Sequence, residues 1–363
     1  MVRYIYQHSE WPYFIWDNNT LLKKLSLVKN SQDRLNGYIN ALGFKEREQT
    51  FLDTLTSDVL KSTEIEGEIL NLEQVRSSIA RRLGIDIAGL IASDRHVDGV
   101  VEMMVDATQN YSEHLTKDRL FKWHSGLFPG KKHKIIIGNW RNDSTGPMQV
   151  VSGAMGKEKV HYQAPEATLL EEEMMRFLHW FNSEQHVNPA IKAAIAHLWF
   201  VTVHPFEDGN GRIARAIADM QLTRGDKAHK RFYSMSAQIR IERNAYYTIL
   251  EKTQKGNLDI TEWLEWFLNC MLGAIEHTES IVLRIMEKAK FWDRHKMTAI
   301  NERQRLLINK LFEDFYGKLT TSKWAAIAKC SHDTALRDIK ELIDKGILKQ
   351  EPGGGRSTSY ILK

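Results

Sequence analysis

The sequence has little of what marks metal-binding, secreted or membrane proteins. Its 363 residues contain only two cysteines, Cys270 and Cys330, which are too few and too far apart in sequence to make a metal site. Free thiols are typical of a reducing compartment, so we expect a cytoplasmic protein. No apolar run approaches the roughly twenty residues that cross a bilayer, and we expect no membrane partner. Residues 1–6 also lack the apolar core of a signal peptide.

The chain also has only a small excess of positive over negative charge. Residues 301–363 hold 12 lysines and arginines against 8 aspartates and glutamates, which accounts for the whole formal charge of +4 and leaves 38 of each kind before residue 301. Most of the chain is therefore electrically balanced, and the C-terminal excess is only a mild indication of nucleic-acid binding. With 42% hydrophobic and 26% charged residues, the composition is that of a globular protein long enough for two or three domains.

One stretch of twelve residues, from His204 to Arg215, concentrates groups that suit phosphate chemistry. It reads His-Pro-Phe-Glu-Asp-Gly-Asn-Gly-Arg-Ile-Ala-Arg and so supplies an imidazole, carboxylates, two glycines around an amide, and two guanidinium groups. Upstream, Asn188-Pro189 is typical of a helix start, and the apolar spacing that follows predicts a helix ending near Thr202. A second helix is predicted over residues 211–222. The stretch is therefore expected to be a loop that leads into a helix N-terminus.

Such a loop is expected to bind an anion. Backbone N–H groups at a helix N-terminus lack partners within the helix and lie at the positive end of its dipole. Gly209 and Gly211 have no Cβ, so the backbone can close around phosphate oxygens. The sequence therefore predicts phosphate binding here, although His-Pro-Phe or Gly-Asn-Gly alone is more often an ordinary turn.

Each polar side chain of the loop has a role that its chemistry suits. His204 is the best candidate for a general base acting on a hydroxyl near neutral pH. Asp208 is a hard oxygen ligand for a Mg²⁺ that bridges phosphates. Asn210 can donate a hydrogen bond to the phosphate under attack. Arg212 and Arg215, three residues apart on one helix face, can hold the outer phosphates.

The stretch matches in full the Fic motif His-x-Phe-x-(Asp/Glu)-Gly-Asn-Gly-Arg-x-x-Arg, and on this match the chain resembles Fic-domain proteins. Members of that family usually transfer AMP from ATP to a Ser, Thr or Tyr hydroxyl of a protein, with Mg²⁺ as cofactor. The resemblance implies a catalytic His204, a metal ligand in Asp208, and adenine-bordering tyrosines in a helix predicted over residues 240–254. The implied ATP contacts are Glu66, Asp208, Gly209, Asn210, Gly211, Arg212, Ile213, Ala214, Arg215, Tyr246 and Tyr247. For the two tyrosines, the alternative is an ordinary pair of core and surface residues.

A second short motif follows a helix predicted over residues 48–60. From the residues alone, Gly67 suits the position just after that helix, and the three glutamates of residues 64–68 would ordinarily be solvated. Within the resemblance, Ser62-x-x-x-Glu66-Gly67 matches the (Ser/Thr)-x-x-x-Glu-(Gly/Asn) motif of Fic proteins with an N-terminal inhibitory helix, the class II type. This implies that Glu66 pairs with Arg215, competes with the γ-phosphate and keeps the enzyme autoinhibited. Some relatives also remove AMP from proteins with this glutamate, so both addition and removal of AMP remain open for this chain.

Residues 138–163 change character, because glycines punctuate two short β-type runs, Gln149-Val150-Val151 and Val160-His161-Tyr162. This pattern predicts a hairpin, and Arg141 begins the segment. Fic proteins use a hairpin called the flap to align the target by strand addition. The resemblance therefore implies that Val150 and Val151 contact a protein substrate, which could be a second copy of this chain. An ordinary structural hairpin is the alternative.

Residues 303–362 have the pattern of a separate module. Three helices followed by a strand, a loop and a strand are predicted, which resembles a winged helix-turn-helix. Such a module could bind DNA through its third helix, with Arg356 of the wing at a phosphate. Against this, Asp338 and Glu341 are expected to share the exposed face of that helix with Arg337 and Lys340, where carboxylates repel the DNA backbone. A protein-docking or dimerising role is the alternative.

We therefore predict a mainly α-helical protein with a Fic-type core, a small β-hairpin flap, an N-terminal helical extension and a C-terminal winged helix-turn-helix. The predicted boundaries place the inhibitory region in residues 1–97, the catalytic domain in 98–285, and a linker helix with the winged module in 286–363. The leading functional prediction is a cytoplasmic, Mg²⁺-dependent protein adenylyltransferase that uses ATP and is inhibited by Glu66. The alternative is a DNA-binding regulator whose Fic core senses a nucleotide. The sequence leaves open the target and the oligomeric state, a homodimer included.

Overall fold

The computed structural model describes residues 3–130, 135–144, 146–153, 159–184, 186–226, 230–313, 315–352 and 358–363. Over these residues the protein is mainly helical with a small antiparallel hairpin, as predicted, and a second short hairpin lies near the C-terminus. The chain divides into two compact units, Met1–Thr278 and Glu279–Lys363. The domain boundaries predicted after residues 97 and 285 stay predictions. None of the described helices combines the length and the apolar character that crossing a bilayer requires.

The helices and strands of the first unit follow one another along the chain. They are α1 (Asn18–Asn40), α2 (Phe44–Ile65), α3 (Leu72–Leu83), α4 (Arg95–Gln109), α5 (Lys117–Leu127), β1 (Gln149–Ser152), β2 (Lys159–Gln163), α6 (Leu170–Asn182), α7 (Pro189–Val203), α8 (Asn210–Asp226), α9 (Met235–Ile241), α10 (Arg243–Gln254) and α11 (Thr261–Arg294). From Glu279 onward α11 belongs to the second unit. That unit continues with α12 (Glu302–Phe312), α13 (Thr321–Ala328), α14 (His332–Asp344), β3 (Leu348–Gln350) and β4 (Tyr360–Leu362).

Two consecutive helices, α7 and α8, lie in the core of the first unit. α7 begins at Asn188, whose side chain accepts a hydrogen bond from the N–H of Ala190, and Pro189 occupies the first turn. Nearly all of α7 is buried, because apolar side chains occur on all of its faces. α8 is likewise buried from Ile213 to Thr223. The loop between the two helices is therefore held at both ends by well-packed structure.

α2 is also part of this core. Its apolar face buries Phe51, Leu52, Leu55, Val59 and Ile65, each at most 4% exposed. The helix ends at Ile65, and Gly67 then adopts a positive φ of 89°, which glycine tolerates because it has no Cβ. This packing fixes the end of α2 against the rest of the unit.

The single helix predicted over residues 240–254 is in fact two helices. α9 begins earlier, at Met235, where the side chain of Ser234 accepts a hydrogen bond from the N–H of Ala237. Glu242 then departs from helical geometry, with φ −94° and ψ 21°, before α10 begins. After this break, Nε of Arg243 donates to the carbonyl of Ile65 at the end of α2 (2.8 Å). The break at Glu242 is therefore accompanied by a long-range contact with α2, and the spacing of apolar residues in the sequence does not indicate it.

The second unit has its own hydrophobic core. Its buried side chains are Phe291, Leu307, Ile308, Leu319, Trp324, Ala335, Ile339, Leu342, Ile347, Leu348 and Tyr360. The expectation that Asp338 lies on the exposed face of α14 is wrong. Asp338 is 1% exposed, because Nε and Nη2 of Arg303 on α12 donate to its carboxylate at 2.9 and 3.1 Å. Arg356 lies outside the described residues, and the winged helix stays a prediction.

Candidate active site

The loop that joins α7 to α8 begins with an unusual backbone conformation. His204 lies in the left-handed region, with φ 51° and ψ 58°, and its N–H donates to the carbonyl of Phe200 (3.0 Å). Residues with a Cβ seldom adopt this conformation, so the surrounding structure must hold it. Strained backbone of this kind is concentrated at functional sites.

Contacts with Asn210 and His124 fix the rest of the loop. The Asn210 side chain accepts a hydrogen bond from the N–H of Phe206 (3.0 Å) and donates one to its carbonyl (2.7 Å). The buried Phe206 ring stacks on His124, with the ring centroids 4.2 Å apart. Burial lowers the pKa of His124 to about 4, so this ring is a neutral support for the loop. Asn210 is thus committed to holding the loop, and its predicted contact with a phosphate stays a prediction.

The tautomer of His204 leaves a lone pair available. Its Nδ1 lies 3.2 Å from the carbonyl of Val201, and because a carbonyl only accepts, Nδ1 carries the proton and Nε2 the lone pair. Burial lowers the pKa of His204 to about 4; the hydrogen bond to Val201 opposes the shift, and the charge of Arg141 adds to it. At neutral pH the imidazole is therefore uncharged, which is the form that a general base requires.

Arg215 is buried and meets a carboxylate from the turn after α2. Its Nη2 donates to Oε1 of Glu66 (2.7 Å) and to the carbonyl of Ser62 (2.7 Å), while its Nε donates to the Ser62 hydroxyl (2.8 Å). The Glu66 carboxylate lies against the first turn of α8, where it would collide with a Cβ on Gly211. The structure therefore brings Glu66 and Arg215 together at a helix end that favours anions.

Glu68 is a site residue that the sequence reasoning missed. Its Oε2 accepts a hydrogen bond from Nη1 of Arg212 (2.9 Å) and lies 3.4 Å from Nε2 of His96. Arg212 is 2% exposed, and its Nη2 also lies 3.7 Å from Oδ1 of Asp208. Both motif arginines are thus paired with carboxylates from one short turn. The only feature of the sequence that pointed to a role for Glu68 in the site was its position two residues after Glu66.

Both arginines nevertheless keep donors without partners. Among the described residues, Nε of Arg212 and Nη1 of Arg215 are buried and have no hydrogen-bond acceptor. A buried donor left unpaired costs roughly 1–3 kcal/mol, so these two donors are available to a ligand or a water molecule. These donors lie beside the N-terminus of α8, where an anion with several oxygens is favoured.

Asp208 is the residue best suited to hold a cation. Its side chain is 61% exposed, and its Oδ1 accepts a hydrogen bond from the N–H of Gly209 (2.5 Å). Among the described residues, no group of three or more His, Cys, Asp or Glu side chains could hold a metal ion. A single carboxylate fits Mg²⁺ where phosphate oxygens and water complete the shell, which is common beside nucleotides.

Tyr246 and Tyr247 lie together beside the end of α2, with ring centroids 5.0 Å apart. Tyr246 is buried, and its hydroxyl forms a 2.9 Å hydrogen bond with Nε2 of His197. Tyr247 is half-buried, and its hydroxyl lies 3.5 Å from the carbonyl of Ile65. Tyr247 is therefore close to the turn that holds Glu66, whereas Tyr246 has the environment of a core residue. Contact of either ring with adenine stays a prediction.

The predicted hairpin of residues 149–163 contacts α7 and α10. The Tyr162 hydroxyl on β2 donates to the carbonyl of Thr202 near the end of α7 (2.7 Å), and Nδ1 of His161 lies 2.7 Å from Oε2 of Glu251. On β1, Val150 is half-buried and Val151 is 48% exposed. Because the described part of this sheet has two strands, the outer edge of β1 is open to a third strand.

Two parts of the chain match known protein families. Residues 114–222, which include the loop, match the Fic/DOC family. Residues 4–85, which include the turn with Glu66, match a domain of unknown function, DUF4172.

Curated relatives carry the name protein adenylyltransferase Fic. The protein from Drosophila yakuba is 23% identical over 320 residues, covering 82% of this chain and 58% of that protein. The protein from Drosophila mojavensis is 25% identical over 254 residues, covering 68% and 45%. This chain thus spans about half the length of the curated relatives it matches.

Solved structures share the fold. A Fic family protein from Desulfovibrio desulfuricans G20 has a TM-score of 0.54 at 20% identity and covers 97% of this chain and 98% of that chain. A Fic domain containing signaling protein from Bacteroides thetaiotaomicron VPI-5482 has a TM-score of 0.53 at 18% identity, covering 71% and 96%. At this identity the likeness is one of fold.

Proposed function

The chain carries a Fic/DOC domain in residues 114–222, and from this premise we propose that it is a protein adenylyltransferase, which transfers AMP from ATP to a Ser, Thr or Tyr hydroxyl of a protein. One observation carries the proposal. A neutral His204 with a lone pair on Nε2 lies in the loop that leads into α8, and the first two turns of α8 carry two arginines with buried donors that lack acceptors. This arrangement supplies a base and an anion site to one reaction.

The chemical step follows from these groups. The target hydroxyl oxygen attacks the α-phosphorus of ATP, the bond from that phosphorus to the bridging oxygen breaks, and pyrophosphate leaves. The hydroxyl proton passes to Nε2 of His204. Arg212 and Arg215 hold the outer phosphates through charge-assisted hydrogen bonds. Asp208 would hold Mg²⁺, which when bound neutralises phosphate charge.

In the same proposal, the turn after α2 inhibits the enzyme. Glu66 occupies Arg215 and Glu68 occupies Arg212, so the γ-phosphate meets negative charge in place of free guanidinium groups. ATP bound beside these carboxylates would hold its α-phosphate away from the line of attack. Glu66 would also serve a separate hydrolysis, in which water attacks the phosphorus of a protein-bound AMP, the bond to the protein oxygen breaks, and the free hydroxyl and AMP are released.

The hairpin supplies the proposed target site. Main-chain groups along β1 can pair with an extended target segment, and strand addition demands little of the target sequence. Val150 and Val151 would then flank the hydroxyl-bearing residue. A second copy of this chain is one candidate target.

The test uses Glu66→Gly with Mg²⁺, a lysate as the source of targets, and ATP labelled on either the α- or the γ-phosphate. Relative to the lysate alone, we expect additional protein labelling from the α-phosphate only, and its loss when His204→Ala is added to the same variant. His179→Ala, which changes an exposed histidine on α6, is the matched control and should label normally. Labelling from the γ-phosphate would instead indicate phosphotransfer, and no labelling from either position would end the proposal.

A second candidate function is DNA binding by the second unit, and the burial of Asp338 favours it. Without that carboxylate, Arg337 and Lys340 lie exposed on α14, while Glu341 is half-buried and accepts from Nε2 of Gln304 (2.8 Å). The exposed Asp333 and Asp344 at the two ends of α14 weigh against it.

DNA binding is tested with the full chain and duplex DNA at about 50 and 200 mM salt, since phosphate contacts weaken steeply over this range. We expect Arg337→Gln with Lys340→Gln to weaken a salt-sensitive complex. The control is Lys296→Gln, whose lysine is paired with Asp293 (3.2 Å). Equal affinity in all three chains would contradict a role for α14.

A further inference from the structure

Arg141 is a buried cation that has no part in the proposed nucleotide site. Its side chain is 1% exposed, and each nitrogen of the guanidinium has an acceptor. Nε donates to the carbonyl of His204 (2.8 Å), Nη1 to Oδ1 of Asp143 (3.0 Å), and Nη2 to the carbonyl of Pro165 (2.5 Å). A guanidinium is buried at acceptable cost only when its donors are satisfied in this way. Arg141 therefore joins three segments of the first unit.

Two hydrogen bonds from Arg141 hold the backbone that carries the proposed base. Besides the bond from Nε to His204, the backbone N–H of Arg141 donates to the carbonyl of Pro205 (2.9 Å). These consecutive carbonyls follow the left-handed φ of 51° at His204. Because this conformation is unfavourable for a residue with a Cβ, it needs restraint from outside the loop. Arg141 supplies that restraint at two adjacent points.

The other hydrogen bonds of Arg141 close the base of the hairpin. Asp143 precedes β1, and its Oδ2 accepts a hydrogen bond from the N–H of Ala167, which follows β2 (2.6 Å). Pro165 also follows β2. One guanidinium thus links both ends of the hairpin segment to the peptide of His204.

From this geometry we propose that Arg141 is a positioning residue that sets His204 relative to a target strand bound at the hairpin. The inference rests on the proposed function and deepens it. ATP would contact α8 and the loop, whereas the attacking hydroxyl must meet both the hairpin and His204. Arg141 therefore governs the transfer step and not the binding of ATP. Misplacement of a base by about 1 Å can slow a reaction roughly 100-fold.

The charge of Arg141 also affects the pKa of His204, which provides a second measurement. Burial and Arg141 lower the pKa of His204, whereas the hydrogen bond to Val201 and the charges of Glu66 and Asp208 raise it. Removing the Arg141 charge should therefore raise the pKa of His204 toward its ordinary value of about 6.5. A lysine at this position keeps the charge but cannot bind all the acceptors, because its ammonium is a compact point charge.

The kinetic arm compares Arg141→Met and Arg141→Lys with Arg224→Met, all in the Glu66→Gly background. Arg224 is the matched control because its guanidinium also donates to backbone carbonyls, those of Tyr111 (2.6 Å) and Glu113 (2.7 Å). We expect both Arg141 variants to lower the maximal rate of AMP transfer about 10- to 100-fold, with a KM for ATP that changes less than about twofold. Arg224→Met should change neither quantity. An equal loss in Arg224→Met, or a change confined to the KM for ATP, would overturn the inference.

A second arm does not depend on AMP transfer. NMR of the full chain with labelled histidine follows the titration of His204, assigned by comparison with His204→Gln. We expect the pKa of His204 to rise in Arg141→Met, and to stay near the parent value in Arg141→Lys while the ring chemical shifts change. If the Glu66→Gly parent transfers no AMP, the proposed function fails, and this titration still decides the role of Arg141. An unchanged pKa and unchanged shifts in both variants would refute that role.

Discussion

Oε1 of Glu66 lies 2.7 Å from Nη2 of Arg215, although the two residues are 149 positions apart in the chain. Glu66 follows the last residue of α2, and the apolar face of that helix is buried in the core. Withdrawing the whole helix would expose that face to water at a large cost. The ion pair can instead be broken by moving the turn at Glu66 alone. We therefore expect release of inhibition to be a local change.

Glu66→Gly should raise AMP transfer above the parent chain by roughly 10- to 100-fold, because a hydrogen bond between charged groups contributes about 1.5–3 kcal/mol. The rate of Glu66→Gln should lie between those of the parent chain and Glu66→Gly, since an amide keeps an acceptor without the charge. Initial rates with labelled ATP measure the series. Glu64→Gln is the control, because Glu64 lies in the last turn of α2, two residues before Glu66, and pairs with Lys61 (2.7 Å). Equal rates across the series would mean that Glu66 does not inhibit.

Glu68→Gln should tighten the binding of ATP by a smaller factor, about two- to fivefold, because Glu68 is 48% exposed and such pairs contribute about 1 kcal/mol or less. Freeing Arg212 gives the phosphates a second guanidinium. Calorimetric titration with ATP and Mg²⁺ measures the effect. Glu102→Gln is a matched control, since Glu102 is 44% exposed and pairs with Lys122 (2.9 Å). Weaker binding in Glu68→Gln would show that Glu68 helps to hold the nucleotide.

The pH dependence of AMP transfer should reflect the low pKa of His204, about 4. The neutral imidazole is the active form, so kcat/KM should be nearly constant between about pH 5 and 8 and fall about tenfold per unit below the pKa. In Glu66→Gly the carboxylate that raises this pKa is gone, so the fall should move to lower pH. Initial rates, with circular dichroism to confirm folding, measure the profile. An inflection near 6.5 would show a solvated imidazole and contradict the structure.

A buried charge cluster lies about one turn after Arg215 on α8 and about two turns before Glu66 on α2. Nη2 of Arg231 lies 3.2 Å from Oδ2 of Asp58 on α2 and 2.5 Å from Oδ1 of Asp219 on α8, and all three residues are at most 6% exposed. Burial raises the pKa of both carboxyl groups, and the charge of Asp58 raises that of Asp219 further. One guanidinium therefore joins the inhibitory helix to the helix of the motif.

Arg231→Met should destabilise the protein by about 3–5 kcal/mol, because it leaves two buried carboxyl groups without a cation. Asp219→Asn should cost only about 1 kcal/mol, because the amide oxygen can still accept the hydrogen bond from Arg231 and Asp58 still pairs with its charge. Urea unfolding of both variants, followed by circular dichroism, measures the difference. Equal destabilisation would mean that the cluster does not depend on its cation.

The loop at His204 was predictable because its information is local. A cap, a proline and apolar spacing define α7, and glycines mark the turn into α8, all within a short segment. The pairing of Glu66 with Arg215 was implied only by resemblance to a family. No spacing rule connects residues so far apart.

The long-range contacts that determine whether a single polar side chain is buried, and with which residue it pairs, were not predictable from the sequence. Glu68 and Arg212 are 144 positions apart, and Arg141 and His204 are 63 apart. Asp338 was predicted on the exposed face of its helix, but Arg303, 35 positions earlier, pairs with its carboxylate and buries it. Such contacts depend on tertiary packing, which overrides local preference.

A crystal structure of the Glu66→Gly chain with Mg²⁺ and a non-hydrolysable ATP analogue would show where the triphosphate lies relative to His204. We expect the outer phosphates on Arg212, Arg215 and the N-terminus of α8, with the α-phosphate on the side of Nε2 of His204. A triphosphate bound elsewhere, or held with its α-phosphate away from His204, would contradict this expectation.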